Sequence, residues 1–197
     1  MTDRRGSSQF SFMDRGALRS LSGSGVHEAS TFRKIFDVEF EYVWRSLRRL
    51  GVPPRDLEDV THDVFLQIYA QLHRYDAARP VRPWLFGFAF RIASDYRRLS
   101  RHRFEVLDSE VEAVDPLPSA IDSLARAEAL AVGYAALDYL DLSKRAVFIL
   151  HELDGATMPE VAEGLGIPLN TAYSRLRAAR EQFNAVVRRL RVRRGDR

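Results

Sequence analysis

Residues 143–183 read SKRAVFILHELDGATMPEVAEGLGIPLNTAYSRLRAAREQF. An apolar helical stretch runs into a break at Asp154-Gly155-Ala156. A short helix follows, built around Val161, Ala162 and Leu165. Gly166-Ile167-Pro168 makes a tight turn, and a longer helix carries Tyr173, Ser174, Arg175, Arg177 and Arg180. This is the order of a helix-turn-helix. Ala162 is small enough to let two helices approach, and Gly166, four residues on, can take the positive φ of the turn. Val161, Leu165, Ile167, Ala172 and Leu176 form the expected packed seam. Such a unit lays its second helix in the DNA major groove, with the N-terminal side chains against base edges. A helical hairpin that only packs in a core would share the seam. The arginine-rich outer face favours nucleic acid.

The rest of the composition sets bounds. The chain has 197 residues, a net charge of +3 and no cysteine, which excludes a disulfide framework and thiolate metal sites. Lys34 and Lys144 are the only lysines; arginine carries the basic charge and offers bidentate contacts to phosphate and guanine. No apolar run reaches the length of a membrane span, and the first residues lack a signal-peptide core. A soluble, cytoplasmic protein without membrane insertion is expected.

The expected fold is all-α: two small helical domains joined by a flexible acidic linker, the second domain holding the helix-turn-helix. Residues 1–30, rich in Ser, Gly and Arg, read as a disordered extension. Residues 31–104 read as the first domain. Its first helix spans about Thr31 to Leu50, with Phe32, Ile35, Phe36, Phe40, Val43, Trp44 and Leu47 at helical spacing. A second helix begins near Asp56, with Val60, Val64, Phe65, Ile68 and Leu72 inward and Glu58, Asp59 and Asp63 outward. After a loop from His73 to Pro83, a third helix runs from about Trp84 to Arg103, aromatic first and basic after. Residues 105–118 turn acidic and end in Pro116-Leu117-Pro118, the expected linker. Residues 119–187 read as the second domain, with Ser119 as an N-cap, and 188–197 as a basic tail.

Three blocks in this order resemble the extracytoplasmic-function (ECF) sigma factors of bacterial RNA polymerase, over about residues 32–184. DLEDVTHDVFLQIY, Asp56 to Tyr69, looks like the polymerase-binding helix of that family. RPWLFGFAFRIASDYRR, Arg82 to Arg98, looks like its promoter-melting helix. Leu142 to Glu181 looks like its −35-reading domain. The region between the domains is too short for the extra domain of housekeeping sigma factors. The resemblance implies sigma region 2 at 31–104 and region 4 at 119–187. It implies a factor that binds core RNA polymerase and directs promoter recognition, DNA melting and transcription initiation. The implied partners are core polymerase (largest-subunit clamp and flap regions), promoter DNA and an anti-sigma factor.

The resemblance also assigns roles. Glu58, Asp59 and Asp63, supported by Phe65, would dock on the polymerase clamp. Read alone, an acidic helix face is more simply solvated, or favourable to the helix dipole. Arg82, Arg91, Asp95, Arg97 and Arg98 would serve the −10 element. Aromatics there can stack on unpaired bases while arginines neutralise phosphates, and a flipped base would sit between the 73–83 loop and the next helix. Trp84 fits a core register with Phe88 and Ile92 better than a stacking role. Asn170, Thr171, Tyr173, Ser174, Arg175, Arg177 and Arg180 would serve the −35 element, with Asn170 capping the helix and Arg175 or Arg177 on guanine. Gly87 and Phe90 stand where many members carry polar or basic residues, Pro83 replaces a common Ala, and Tyr173 and Ala178 stand where basic residues are frequent. The acidic linker reads either as a solvated spacer or as a polyanion in the RNA path of the polymerase.

Two other classes compete. His62-Asp63 is reminiscent of metal phosphohydrolases, but His27, His73, His102 and His151 are scattered. No catalytic residue, metal or cofactor is expected. A self-sufficient helix-turn-helix regulator would bind a palindrome as a dimer; the polymerase-binding block speaks against it.

Overall fold

The computed structural model describes residues 24–104 and 121–195, and all their regular elements are helical. The linker at 105–118, Ser119 and residues 1–23 lie outside the described residues. The first unit has three helices. α1 (Ser24–Arg49) starts seven residues before Thr31, so residues 24–30 belong to the helix and not to an extension. It buries Ile35, Val43 and Leu47 and ends at Gly51, whose φ of 93° turns the chain. Pro53 and Pro54 then lead through a short 3-10 turn into α2 (Leu57–Gln71). α2 buries Val60, Val64, Phe65 and Ile68 on one side. α3 (Val81–Phe104) begins three residues ahead of Trp84. Pro83 is accommodated because the first turn of a helix has no partner for its N–H groups anyway. The loop before it thereby shortens.

The second unit contains α4 (Ile121–Asp138), α5 (Leu142–Phe148), α6 (Met158–Leu165) and α7 (Leu169–Gly195). Asp141 caps α5 by accepting the Lys144 N–H at 2.9 Å. After α5 the backbone widens into one π turn, Ile149–Leu153, closed by the Asp154 N–H on the Ile149 carbonyl. α6 ends at Gly166 with φ 64°; Ile167 N–H reaches the Ala162 carbonyl at 2.9 Å and Gly166 N–H that of Glu163 at 3.0 Å. This pair of bonds satisfies the last carbonyls of α6 and sets the angle of α7. Val161, Ala172, Leu176 and Ala179 close the seam, with Leu165 and Ile167 packed at its edge. The basic residues after 187 continue α7 as helix to Gly195 and do not form a separate tail.

Gly166→Ala has room for its methyl group but must take the left-handed conformation, so it should lose about 1–2 kcal/mol. Gly133→Ala, in the middle of α4 and equally unobstructed, should gain up to about 1 kcal/mol. Thermal unfolding of the two variants should shift in opposite directions.

The two units also pack directly on each other, chiefly α3 against α6. Periodicity gave no sign of this. Each helix shows its own apolar face, but a crossing made through two glycines leaves no hydrophobic signature.

Candidate nucleic-acid interface

α7 leaves the Gly166 turn with its first residues facing outward. Asn170, Tyr173, Ser174 and Arg177 are exposed, and Thr171 and Arg175 half-buried. Ser174 Oγ donates to the Thr171 carbonyl at 2.9 Å, holding that hydroxyl against the helix. Arg175 and Arg177 form no ion pair among the described residues, so their guanidinium groups are available to DNA. Two of the expected roles change. Asn170 is not the cap: α7 starts at Leu169, and Ala172 N–H already reaches the Pro168 carbonyl at 3.0 Å. Asn170 instead sits within the first turn, beside N–H groups that favour phosphate. Arg180 is drawn back to the π turn by Glu152, 2.6 Å away. A residue three turns into the helix meets its own domain before it meets DNA.

The start of α3 and the loop before it enclose a cavity of about 550 Å³. Tyr75 packs on Trp84 (centroids 4.9 Å apart), and Trp84 on Phe88 edge-to-face (4.9 Å). Trp84 keeps the register with Phe88 read from its spacing, yet it remains half-buried and lines the cavity. Arg91 lies over the Phe88 ring at 4.5 Å, and burial lowers its guanidinium from the usual value. Asp95 and Arg98 form an exposed pair one turn on (3.1 Å). Arg91, Asp95 and Arg98 thus follow one stripe of α3. Arg97 does not: it turns to the opposite side and donates to the Leu50 carbonyl at 3.3 Å. Arg82 is held by Glu39 at 2.9 Å and lies over the Tyr42 ring at 5.0 Å. Its charge is therefore already matched within the first unit.

On α2, Glu58, Asp59 and Asp63 are exposed together. Partial burial moves the Asp63 carboxyl above its ordinary range; His62 opposes this and Asp59 adds to it. Asp59 and Asp63 are one helical turn apart and repel each other, a cost repaid when a basic surface docks. Phe65 is not part of that face. It is 3% exposed, packed among Phe36 (4.7 Å), Phe40 (5.9 Å) and Phe32 (6.3 Å). Among the described residues no group of three His, Asp or Glu side chains is placed to hold a metal.

Sequence reasoning missed Asp154 and Glu163. Asp154 accepts the Tyr42 hydroxyl at 2.9 Å and pairs with Arg49 at 3.0 Å. Burial raises its carboxyl above the ordinary range against those two partners, and burial next to Asp154 likewise raises the Tyr42 hydroxyl. Glu163 pairs with Arg79 of the loop before α3. All four contacts join residues far apart in the chain, which no local pattern reveals.

Comparison with known proteins agrees with this arrangement. Residues 40–103 match the Sigma-70 region 2 family and residues 134–183 the Sigma-70, region 4 family. The chain is 32% identical over 149 residues to the RNA polymerase sigma factor NccH of Alcaligenes xylosoxydans xylosoxydans, covering 73% of this chain and 79% of that one. It is 31% identical over 169 residues to the ECF RNA polymerase sigma factor SigL of Mycobacterium tuberculosis, covering 82% and 92%. Among solved structures, it resembles CnrH in complex with the cytosolic domain of CnrY (TM-score 0.57, 25% identity, 82% of this chain and 93% of that one). It also shares the fold of the sigma factor RpoE solved with the anti-sigma factor NepR from Bartonella quintana (TM-score 0.63, 18% identity, 80% and 97%). With region 2 and region 4 both present, in order and folded as the structure describes, the chain belongs to the sigma-70 family as an ECF sigma factor, a promoter-recognising factor of transcription initiation.

Proposed function

We infer that this factor docks on the clamp of core RNA polymerase through Glu58, Asp59 and Asp63. Its α3 cavity takes the unpaired −10 strand, and the exposed start of α7 takes the −35 duplex. The observation that carries the reading is the placement of three chemically distinct surfaces on one small fold. One is an acidic face, one an aromatic and arginine-lined cavity, and one a polar helix start with two uncommitted arginines. The cavity suits a flipped base: Trp84 and Tyr75 offer π faces and Arg91 a cation for the phosphate. Asn170, Tyr173, Ser174, Arg175 and Arg177 reach the major groove. Arg82, Arg97 and Arg180 act inside the protein, positioning these surfaces. The chain has no catalytic centre of its own and works in the cytoplasm. An anti-sigma factor is the expected antagonist, in line with the complexes in which CnrH and RpoE were solved.

Asp59→Arg with Asp63→Arg tests the dock. Both side chains are exposed, so the fold should tolerate the change within about 0.5 kcal/mol. Co-elution with core polymerase on size exclusion should weaken by about tenfold or more, because like charges now meet across the contact. Unchanged co-elution would reduce this face to a solvated surface.

A further inference from the structure

The contact between the units is closest where α3 crosses α6. A methyl group built on Gly87 would fall onto the carbonyl oxygen of Gly164, and one built on Gly164 would lie 2.5 Å from that of Pro83. Only residues without a Cβ allow two backbones to approach in this way. Around the crossing the contacts are polar. Asp154 joins Tyr42 and Arg49, Glu163 joins Arg79, and Arg48 lies over the Tyr134 ring at 5.0 Å. Arg145 of α5, 1% exposed, is buried against the Gly51 turn.

What this contact covers is specific. The α3 cavity is walled on its far side by Glu160, Glu163 and Gly164 of α6. Two carboxylates therefore stand where a strand would bring phosphate, and one of them occupies Arg79. The other two surfaces stay open: Glu58, Asp59 and Asp63 are exposed, as are Asn170, Tyr173, Ser174 and Arg177.

The contact is also built to part. Polar interfaces between domains resemble transient complexes more than cores. Arg145 pairs with Asp138 at 3.0 Å, but its Nε has no hydrogen-bond partner. Burial and the nearby charge of Arg97 both lower its guanidinium from the usual value. Separation would return this cation to water and relieve a like-charge approach.

We propose that α6 is an internal lid: in the free chain it closes the single-strand cavity of the first unit, and polymerase, docking on the exposed acidic face, separates the units and opens it. This rests on the assignment of the cavity to the −10 strand. The lid withholds the melting surface until the factor is on its polymerase, and it does so without a second protein.

The absence of cysteine makes the test clean. Arg79→Cys with Glu163→Cys introduces two thiols at exposed positions whose native side chains touch. A bismaleimide spacer containing a disulfide ties them and is cut by dithiothreitol. The probe is a fluorescein-labelled single-stranded 20-mer with a randomised core, read by anisotropy. A chain closed nine-tenths of the time binds about tenfold more weakly than an open one. The tied chain should therefore bind at least about tenfold more weakly than the same chain after cutting. Gly164→Ala, in the chain without the introduced thiols, should bind more tightly than wild type and show a larger radius of gyration in solution scattering. Equal binding by tied and cut chains, with Trp84→Ala still abolishing it, would overturn the lid and leave the cavity assignment standing. If Trp84→Ala and Arg91→Ala leave the cut chain's binding unchanged, the cavity assignment is wrong and the lid falls with it.

Discussion

Phe65→Ala should cost about 3–5 kcal/mol of folding stability. The ring is buried under α1, in edge contact with Phe36 and stacked with Phe40 at an interplanar angle of 9°. Its removal empties the center of an aromatic cluster that α1 and α2 share, and the surrounding helices cannot close over the gap without shifting. For a small domain, each kcal/mol moves the melting midpoint by about 4–8 °C. The loss should therefore be plain in a circular dichroism melt. Phe65→Leu should recover most of it, since volume is largely kept. Polymerase binding by Phe65→Ala should fail only near the temperatures at which the first unit melts. Lost binding with an unchanged melt would instead make Phe65 a direct contact.

Arg177→Ala should leave the melt almost unchanged and remove promoter discrimination. The side chain is exposed and makes no ion pair among the described residues, so truncation leaves no partner orphaned. If it contacts a guanine edge, its loss should cost about 1–3 kcal/mol, confined to one base pair of the −35 element. If it contacts phosphate, all sequences should weaken alike and the salt dependence should flatten by about one counterion. In vitro transcription by holoenzyme over a library randomised at −35 separates these outcomes. Wild-type selectivity would remove Arg177 from the readout. Arg175→Ala, starting from a half-buried side chain, should show the same selectivity loss with a small cost in stability.

Much of this molecule was legible along the chain because its helices are amphipathic and its turns are chemically marked. The seam of Val161, Ala172 and Leu176 follows from spacing, and Gly166 marks the one residue of that motif that must be left-handed. The acidic face of α2 follows from the apolar stripe opposite it. What stayed hidden depends on partners distant in sequence. Arg97 and Arg98 are neighbours in a basic run, yet one turns inward to Leu50 and the other outward to Asp95. Arg180 shares a helix with Arg177 but answers to Glu152. Phe65 was assigned to two tasks, packing and docking, and packing takes it entirely. The start of α3 was placed late because prolines suggest a loop, whereas a first helical turn accepts them.

The π turn at Ile149–Leu153 has a bearing on how this chain tolerates change in length. A π turn is an α-helix holding one residue more than its neighbours above and below. Each residue of an α-helix turns the chain by about 100°. Deleting one residue there would let the segment relax into plain α geometry without breaking the helix. It would also swing everything downstream round its axis. Asp154 would leave Tyr42 and Arg49, and α6 would face elsewhere. A substitution in this stretch changes one contact; a deletion re-aims the whole DNA-reading half of the protein. The length of residues 149–153 is thus a stricter inheritance than their identity.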